Sequence, residues 1–178
     1  MAMQTTYIAV VGGTTSVIGG RKFANGAETA AFGYLFNCVA HKCYLFSPNS
    51  DGAYKVGNPN NSYYAQSGTI DQLNQIGIEW TNAGGTQKIT VTELSPEVGG
   101  TTQHASHQDG QDVDIRPMST NGAPTTWRSS NYDQASTQRL VNTVLNVNPN
   151  ATIYFNDPSI QGVKPYFGHD NHLHIHLP

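Results

Sequence analysis

The chain has 178 residues, of which 12% are charged and 37% hydrophobic, and its formal net charge is −3 at pH 7. This length suits one domain with its own core, so we expect a single, monomeric domain over residues 1–178. The weakly acidic balance lacks the basic surface of nucleic-acid-binding proteins, and no apolar run reaches the roughly 18 residues of a membrane-spanning helix.

The N-terminal region predicts a strand over residues 6–11, which ends at the glycine pair Gly12 and Gly13. The region has no basic start and only a short apolar run, which is too weak for a secretory signal. We therefore expect either a mature form from which a signal has been removed or another route to the cell wall, such as delivery by a phage.

The chain's two cysteines, Cys38 and Cys43, lie close together in the segment CVAHKC. A local disulfide is favoured over a metal site, because structural zinc sites usually need four protein ligands and their paired spacings are missing here. Two buried free thiols are the other alternative. A disulfide would indicate an oxidising compartment.

The segment before the first predicted helix gives a weaker pattern. Residues 27–46 fit a buried helix followed by a strand. Residues 47–67 are rich in Asn, Gly, Pro and Ser, which predicts a long loop or a pair of turns. Tyr54, Tyr63 and Tyr64 should then be exposed or half-exposed.

Two helices are predicted from apolar residues at helical spacing. The first lies near residues 70–80. The second is predicted over residues 131–146, because a Ser-x-x-Asp capping pattern at Ser130 and Asp133 precedes its apolar stripe. Alternating residues predict a strand over residues 88–94.

The remaining elements complete the predicted fold. Residues 151–155 are typical of a strand, and residues 157–165 of a loop that leads to the C-terminal segment. Because strands and helices do not alternate regularly, we predict an α+β domain with a central antiparallel sheet flanked by helices.

Six of the seven histidines fall in two short windows. The first, HASHQDGQDVDIRP, begins at His104, and the second, GHDNHLHIHLP, begins at Gly168. In the second window His172, His174 and His176 alternate with apolar residues. This is the pattern of a half-buried strand with its imidazoles on one face.

Residues 112–116 of the first window also alternate, so Asp114 and Arg116 should share a strand face. A turn at Gly110 would let His107 fold back towards that face. Adding one imidazole from the terminal strand gives a His, Asp, His set with an open fourth position, as in catalytic zinc sites. The two windows together therefore predict one zinc ion per chain.

The two windows resemble a known family. SHQDGQDVDI is similar to the S-H-Q-x-G-x-D-V-D signature of the penicillin-insensitive murein endopeptidases, and KPYFGHDNHLHIHL is similar to their R-P-W-F-x-H-x-x-H-x-H-V-R-L closing motif. This family belongs to the zinc peptidases that include D-Ala-D-Ala peptidases, lysostaphin-type enzymes and the hedgehog signalling domain. The resemblance is not evident in residues 1–85.

The resemblance implies that His107, Asp114 and His174 bind zinc and that His172 is the general base. His169 matches a further histidine of the family's site, and either His169 or the metal would stabilise the oxyanion. Related groups use a glutamate as base, but the closing window contains none. An imidazole that titrates near neutral pH can take its place.

Other residues near the site have open roles. His104 matches another family histidine, with a direct role and a plain loop position both open. Arg116 would recognise a substrate carboxylate or pair with Asp112 or Asp114. Tyr166 would line the site or serve in packing.

The closing motif departs from the family at one position, because His176 stands where the family tends to have an arginine. We expect His176 to be a surface histidine or one that supports the site from outside. Asp109 and Asp112 are weaker alternatives to Asp114 as a metal ligand.

The resemblance implies a zinc-dependent peptidoglycan endopeptidase that hydrolyses the D-alanyl to meso-diaminopimelyl amide of stem-peptide cross-links. It would act in the periplasm or cell wall, as a phage lysis enzyme, an antibacterial toxin or a periplasmic enzyme. The alternatives are a D,D-carboxypeptidase or dipeptidase on the same scaffold and a non-catalytic, hedgehog-like zinc module.

Overall fold

The computed structural model describes residues 42–47, 52–97 and 106–178. Within these ranges the chain forms strands and helices in the order β1 (Cys43–Leu45), β2 (Tyr54–Val56), β3 (Tyr64–Gln66), α1 (Ser67–Asn82), β4 (Ile89–Glu93), β5 (Asp112–Ile115), α2 (Gln134–Val147), β6 (Thr152–Tyr154) and β7 (Leu173–His176). Neither helix is long and apolar enough to cross a membrane.

Some sequence predictions fall on other parts of the chain. The predicted strand over residues 6–11, Cys38 and His104 all lie outside the described residues. Cys43, the first residue of β1, is disulfide-bonded. The free-thiol alternative therefore does not hold for Cys43.

A five-stranded sheet of order β2-β4-β5-β7-β6 lies at the centre of the described residues. Its neighbours are antiparallel except for β2 and β4, which pair in parallel. The α+β class is confirmed, but the sheet is mixed rather than wholly antiparallel. The physical reason is that β3 and α1 separate β2 from β4, and a connection of this length permits parallel pairing.

The apolar side chains of β5 and β7 point to one face of this sheet. Val113, Ile115, Leu173 and Ile175 have no exposed surface and belong to one core with the buried sides of both helices. The helices also pack on each other. Strand alternation sends the intervening polar residues to the opposite face, where the candidate site lies.

Helix α1 confirms the predicted apolar spacing. Leu73, Ile76 and Trp80 are all buried along one side of it. Gly77 completes that side, because a Cβ there would lie 2.7 Å from the ring of Tyr54. The glycine thus allows the helix to pack closely against β2.

The expectation of an exposed tyrosine-rich loop was wrong for two tyrosines. Tyr54 and Tyr63 are buried, and residues 47–67 contribute both β2 and β3. The Tyr54 hydroxyl donates to the carbonyl oxygen of Leu73 at 2.6 Å, and the Tyr63 hydroxyl to that of Asn58 at 2.6 Å. Because the hydroxyls have partners, the rings can be buried without the cost of an unpaired polar group.

Helix α2 begins three residues later than the capping pattern predicted. The N-cap is Asp133, whose carboxylate accepts from the backbone N–H of Ser136 at 3.0 Å. The backbone N–H of Tyr132 donates to Ser129, which keeps the chain in a turn before the helix. The aspartate of the Ser-x-x-Asp pattern is therefore itself the cap.

Candidate metal centre and cleft

The centre of the site is a pair of facing strands with carboxylates on one and imidazoles on the other. In the register of β5 and β7, Asp112 pairs with His176 and Asp114 pairs with His174. Because their apolar neighbours point into the core, these four polar side chains share the open face of the sheet.

His107 reaches the same place through a turn at Gly110. Gly110 has φ +83°, and a Cβ there would lie 2.4 Å from the sulfur of Cys43. Its backbone N–H donates to the hydroxyl of Ser95 at 2.9 Å. The turn brings His107 back towards Asp114, as predicted, and leaves its side chain 1% exposed.

His107, Asp114 and His174 form a compact, buried cluster, which we call the metal cluster. One oxygen of Asp114 lies 2.8 Å from Nδ1 of His174 and 3.2 Å from Nε2 of His107. One ligand atom from each of the three residues lies within 4.8 Å of the others. Two imidazoles and a carboxylate at these separations fit a tetrahedral metal ion with one position left open.

The pKa shifts in the metal cluster favour a negatively charged Asp114 beside a positively charged His174. Burial raises the pKa of Asp114, but hydrogen bonds from His107 and His174 outweigh it and hold that pKa below its usual range. Burial lowers the pKa of His174, but its bonds with Asp112 and Asp114 raise it to about 9. This raised pKa favours the protonated form of His174, and a metal ion bound at this cluster would have to displace that proton.

Asp112 supports His174 from the side away from the metal cluster. Nε2 of His174 lies 3.4 Å from an oxygen of Asp112, and the same oxygen contacts Nδ1 of His176 at 3.0 Å. Burial raises the pKa of Asp112, but bonds from His174 and the charge of both histidines lower it overall. Asp112 thus fixes the orientation of the His174 ring.

His172 lies at the mouth of the metal cluster. Its Nε2 is 3.8 Å from Asp114, and its Nδ1 is 2.8 Å from the side-chain oxygen of Asn171. An amide oxygen only accepts, so this contact favours the tautomer with its proton on Nδ1, which leaves the lone pair of Nε2 towards the metal cluster. Burial lowers the pKa of His172. The charge of Asp114 raises it, but the nearby imidazoles lower it further, so the pKa lies below its ordinary value.

A cleft of about 610 Å³ opens in front of the metal cluster. One wall is aromatic, with ring centroids of Tyr154 and Tyr166 5.3 Å apart and those of His169 and His172 4.6 Å apart. Phe167 at its rim is 97% exposed. This wall gives the cleft apolar and imidazole surfaces beside the metal cluster.

A family model, described as penicillin-insensitive murein endopeptidase, matches residues 34–156 of the chain. The chain belongs to this family. The match includes His107 and Asp114 but ends before the closing motif, so the His174 side of the metal cluster rests on the structure and on the motif itself. A search of curated proteins found no match.

In this murein endopeptidase family member, the segment that carries His169 and His172 is held from behind by Asp170. One oxygen of Asp170 accepts from the indole N–H of Trp127 at 3.0 Å and from the side chain of Asn156 at 2.8 Å. The backbone N–H of Asn156 donates to the backbone carbonyl oxygen of His169 at 3.0 Å. These bonds anchor the closing segment to the rest of the domain's described residues.

The structure separates Arg116 from the other candidate residues. Its guanidinium donates to the backbone carbonyl of Gly57 at 3.4 Å and lines a second cleft, so the expected pairing with Asp112 or Asp114 is not seen. Tyr166 does line the metal cleft. Nδ1 of His176 contacts Asp112 at 3.0 Å, and its expected role as a surface or supporting histidine stays a prediction.

Three contributors to the site are not predicted from the sequence. Asp112 is predicted only as an alternative ligand, and no sequence pattern assigns Asn171 or Tyr154 to the site. For Asp112 a signal existed, because two alternating acidic positions face two alternating histidines once the strands are paired. No local signal marks Tyr154, which reaches the cleft only through the pairing of β6 with β7.

Proposed function

We propose that the protein is a zinc-dependent peptidoglycan endopeptidase that hydrolyses the D-alanyl to meso-diaminopimelyl amide of stem-peptide cross-links. Membership of a murein endopeptidase family supports peptidoglycan as the substrate. The observation that carries the metal-dependent reaction is the buried cluster of His107, Asp114 and His174, with an imidazole beside it in an open cleft.

We assign zinc to His107, Asp114 and His174. The donor set suits zinc, which takes imidazole nitrogens and carboxylate oxygens in sites that leave one position for a reactant. Bound there, zinc supplies a Lewis acid that polarises the scissile carbonyl and acidifies the attacking water. Asp112 keeps the ring of His174 in the required orientation, as carboxylates commonly do behind metal-bound histidines.

His172 is the general base in this proposal. Its Nε2 faces the cleft with a lone pair, and its lowered pKa keeps it neutral at pH 7. It accepts the proton of the attacking water and then delivers that proton to the leaving amine. Activity should therefore fall as the pH drops through the pKa of His172, below the ordinary histidine value of about 6.5.

We propose that His169 stabilises the oxyanion as an imidazolium. Its Nδ1 lies 3.0 Å from the carbonyl oxygen of Phe167, which can only accept, so Nδ1 carries a proton. Nε2 can donate to an oxyanion only when the ring is an imidazolium. His169 would then contribute both a hydrogen bond and a positive charge.

Two substitutions separate metal binding from catalysis. Asp114→Ala should lose zinc and activity together, because the carboxylate contacts both histidines of the metal cluster. His172→Ala should retain zinc and lose about 100- to 10,000-fold in turnover, the usual contribution of a general base. Zinc content is read by atomic absorption and turnover on cross-linked muropeptides.

The exposed Asp71→Ala on α1 serves as the control and should keep both zinc and activity. A fully active His172→Ala protein would rule out His172 as the base. Full zinc content in Asp114→Ala would contradict the ligand assignment.

We further propose that the protein works as one domain in the periplasm or cell wall. Delivery by a phage, secretion as an antibacterial toxin and export as a periplasmic enzyme are all compatible with this chemistry. They differ in host and route rather than in the site.

A further inference from the structure

We propose that a second cleft, the cation pocket, binds a free carboxylate of the substrate's stem peptide. The cation pocket has a volume of about 510 Å³ and is lined by Lys55, Lys88 and Arg116. Its uncharged polar lining includes Thr86, Gln87 and Asn121. The inference rests on the proposed peptidoglycan substrate, whose stem peptides carry free carboxylates near the scissile amide.

The cation pocket concentrates positive charge in a chain that has little of it. It holds three of the nine Lys and Arg residues of a chain with net charge −3. No Asp or Glu occurs among the described residues that line it. Lys55 donates to the carbonyl oxygen of Gly122 at 3.1 Å and Arg116 to that of Gly57 at 3.4 Å. Their partners are neutral, so their charge is available to an anion.

The cation pocket lies on the face of the sheet that carries the metal cluster. Ile115 points into the core, so Asp114 and Arg116 on either side of it point to the open face. The backbone N–H of Arg116 donates to Thr90 at 2.9 Å, and Thr90 pairs with Lys55 across β4 and β2. Lys55, Thr90 and Arg116 therefore form a row next to the metal cluster.

The spacing along this face matches a short peptide. The Cα atoms of Asp114 and Arg116 are about 7 Å apart, because an extended strand advances about 3.3 Å per residue. An extended substrate advances by the same amount, so an amide held at Asp114 brings a carboxylate about two residues away to Arg116. A guanidinium binds a carboxylate through two parallel hydrogen bonds, and the neighbouring ammonium of Lys55 adds a further charge.

Binding of uncrosslinked stem peptides to the full-length protein tests the cation pocket, since these peptides contain no cross-link to hydrolyse. Peptides with free carboxylates and the same peptides with those carboxylates amidated are compared by isothermal titration calorimetry. The wild type should bind the free acid at least about fivefold more tightly, as expected for charge-assisted hydrogen bonds. The preference should shrink as the salt concentration rises.

Two variants that remove one positive charge each give a matched comparison. Arg116→Gln should lose the preference for the free acid, whereas Arg139→Gln, on the exposed side of α2, should keep it. If Arg116→Gln does not fold, as judged by circular dichroism, Lys88→Gln at an exposed position of the pocket takes its place. Equal binding of both peptides by the wild type overturns the proposal, as does an undiminished preference in the pocket variant.

The binding test of the cation pocket can fail or succeed independently of the proposed hydrolysis. A preference for the free acid, in a zinc-loaded protein that leaves cross-linked peptides intact, supports the cation pocket and overturns the endopeptidase assignment. Cleavage of cross-linked peptides without any such preference overturns the cation pocket and supports the endopeptidase.

Discussion

Asp112 and Asp114 are the same residue type and lie two positions apart on β5, yet they make different contacts and have different proposed roles. Asp114 has two imidazoles of the metal cluster on one oxygen, whereas Asp112 contacts the far nitrogen of His174 and is held by His176. A metal ion held at Asp114 therefore leaves Asp112 to act on it only through the His174 ring.

Asp112→Asn should weaken zinc binding by roughly 10- to 100-fold, the usual effect of removing a carboxylate behind a metal-bound histidine. The amide is a poorer acceptor for the His174 N–H and carries no charge to make the ring more basic. Competition with a chromogenic chelator at pH 7 measures the affinity.

Asp109→Asn is the matched control and should bind zinc like the wild type, since Asp109 lies outside the metal cluster. The carboxylate of Asp112 also raises the pKa of His174, so it stabilises a proton that zinc bound in the proposed site would have to displace. If Asp112→Asn bound zinc as tightly as the wild type or more tightly, Asp112 would act on that proton and not on the orientation of the ring.

At the scale of elements, the turn between His107 and β5 depends on Gly110. Gly110 has φ +83°, and an added Cβ would approach the sulfur of Cys43 and the backbone nitrogen of Gln66. Its carbonyl oxygen also accepts from the backbone N–H of Gln66 at 3.0 Å. The turn therefore joins the ligand-bearing segment to β3.

Gly110→Ala should lower the free energy of unfolding by about 2 to 4 kcal/mol, because the left-handed conformation costs about 1–2 kcal/mol and the steric clash adds to it. Gly84→Ala is the control, since Gly84 has φ +80° with open space around it. Gly84→Ala should show the conformational cost alone. Urea unfolding of both variants gives the comparison, and equal losses would mean that close packing at Gly110 contributes nothing.

Elements set by local patterns could be predicted from the sequence, and those set by distant partners could not. Alternation alone predicted which face of β5 and β7 carries the polar side chains, because every second residue of each strand is apolar and points into the core. The burial of Tyr54 depends on a carbonyl of α1, and the start of α2 depends on which of two capping residues finds a backbone N–H. Neither the burial of Tyr54 nor the first residue of α2 can be predicted from a local sequence pattern.

For the molecule as a whole, the site depends on bringing together two distant windows. The family match covers residues 34–156. His174 of the metal cluster and His172, the proposed base, lie in the closing segment beyond this match. The motifs predicted which residues meet, since Asp114 and His174 lie directly across from each other. The motifs did not predict where the Arg116 guanidinium lies. The orientation of a long side chain depends on the charged groups and carbonyl oxygens that surround it in the folded protein.

In the proposed reaction, the metal cluster acts on the cross-linked substrate that the family's description implies. The most direct measurement is digestion of purified, cross-linked muropeptide dimers by the full-length protein, with products identified by mass spectrometry. Dimers should become monomers, the conversion should stop with a chelator, and zinc should restore it. Intact dimers in the presence of zinc-loaded protein would contradict the account, and release of only a terminal D-Ala would replace the endopeptidase with a carboxypeptidase.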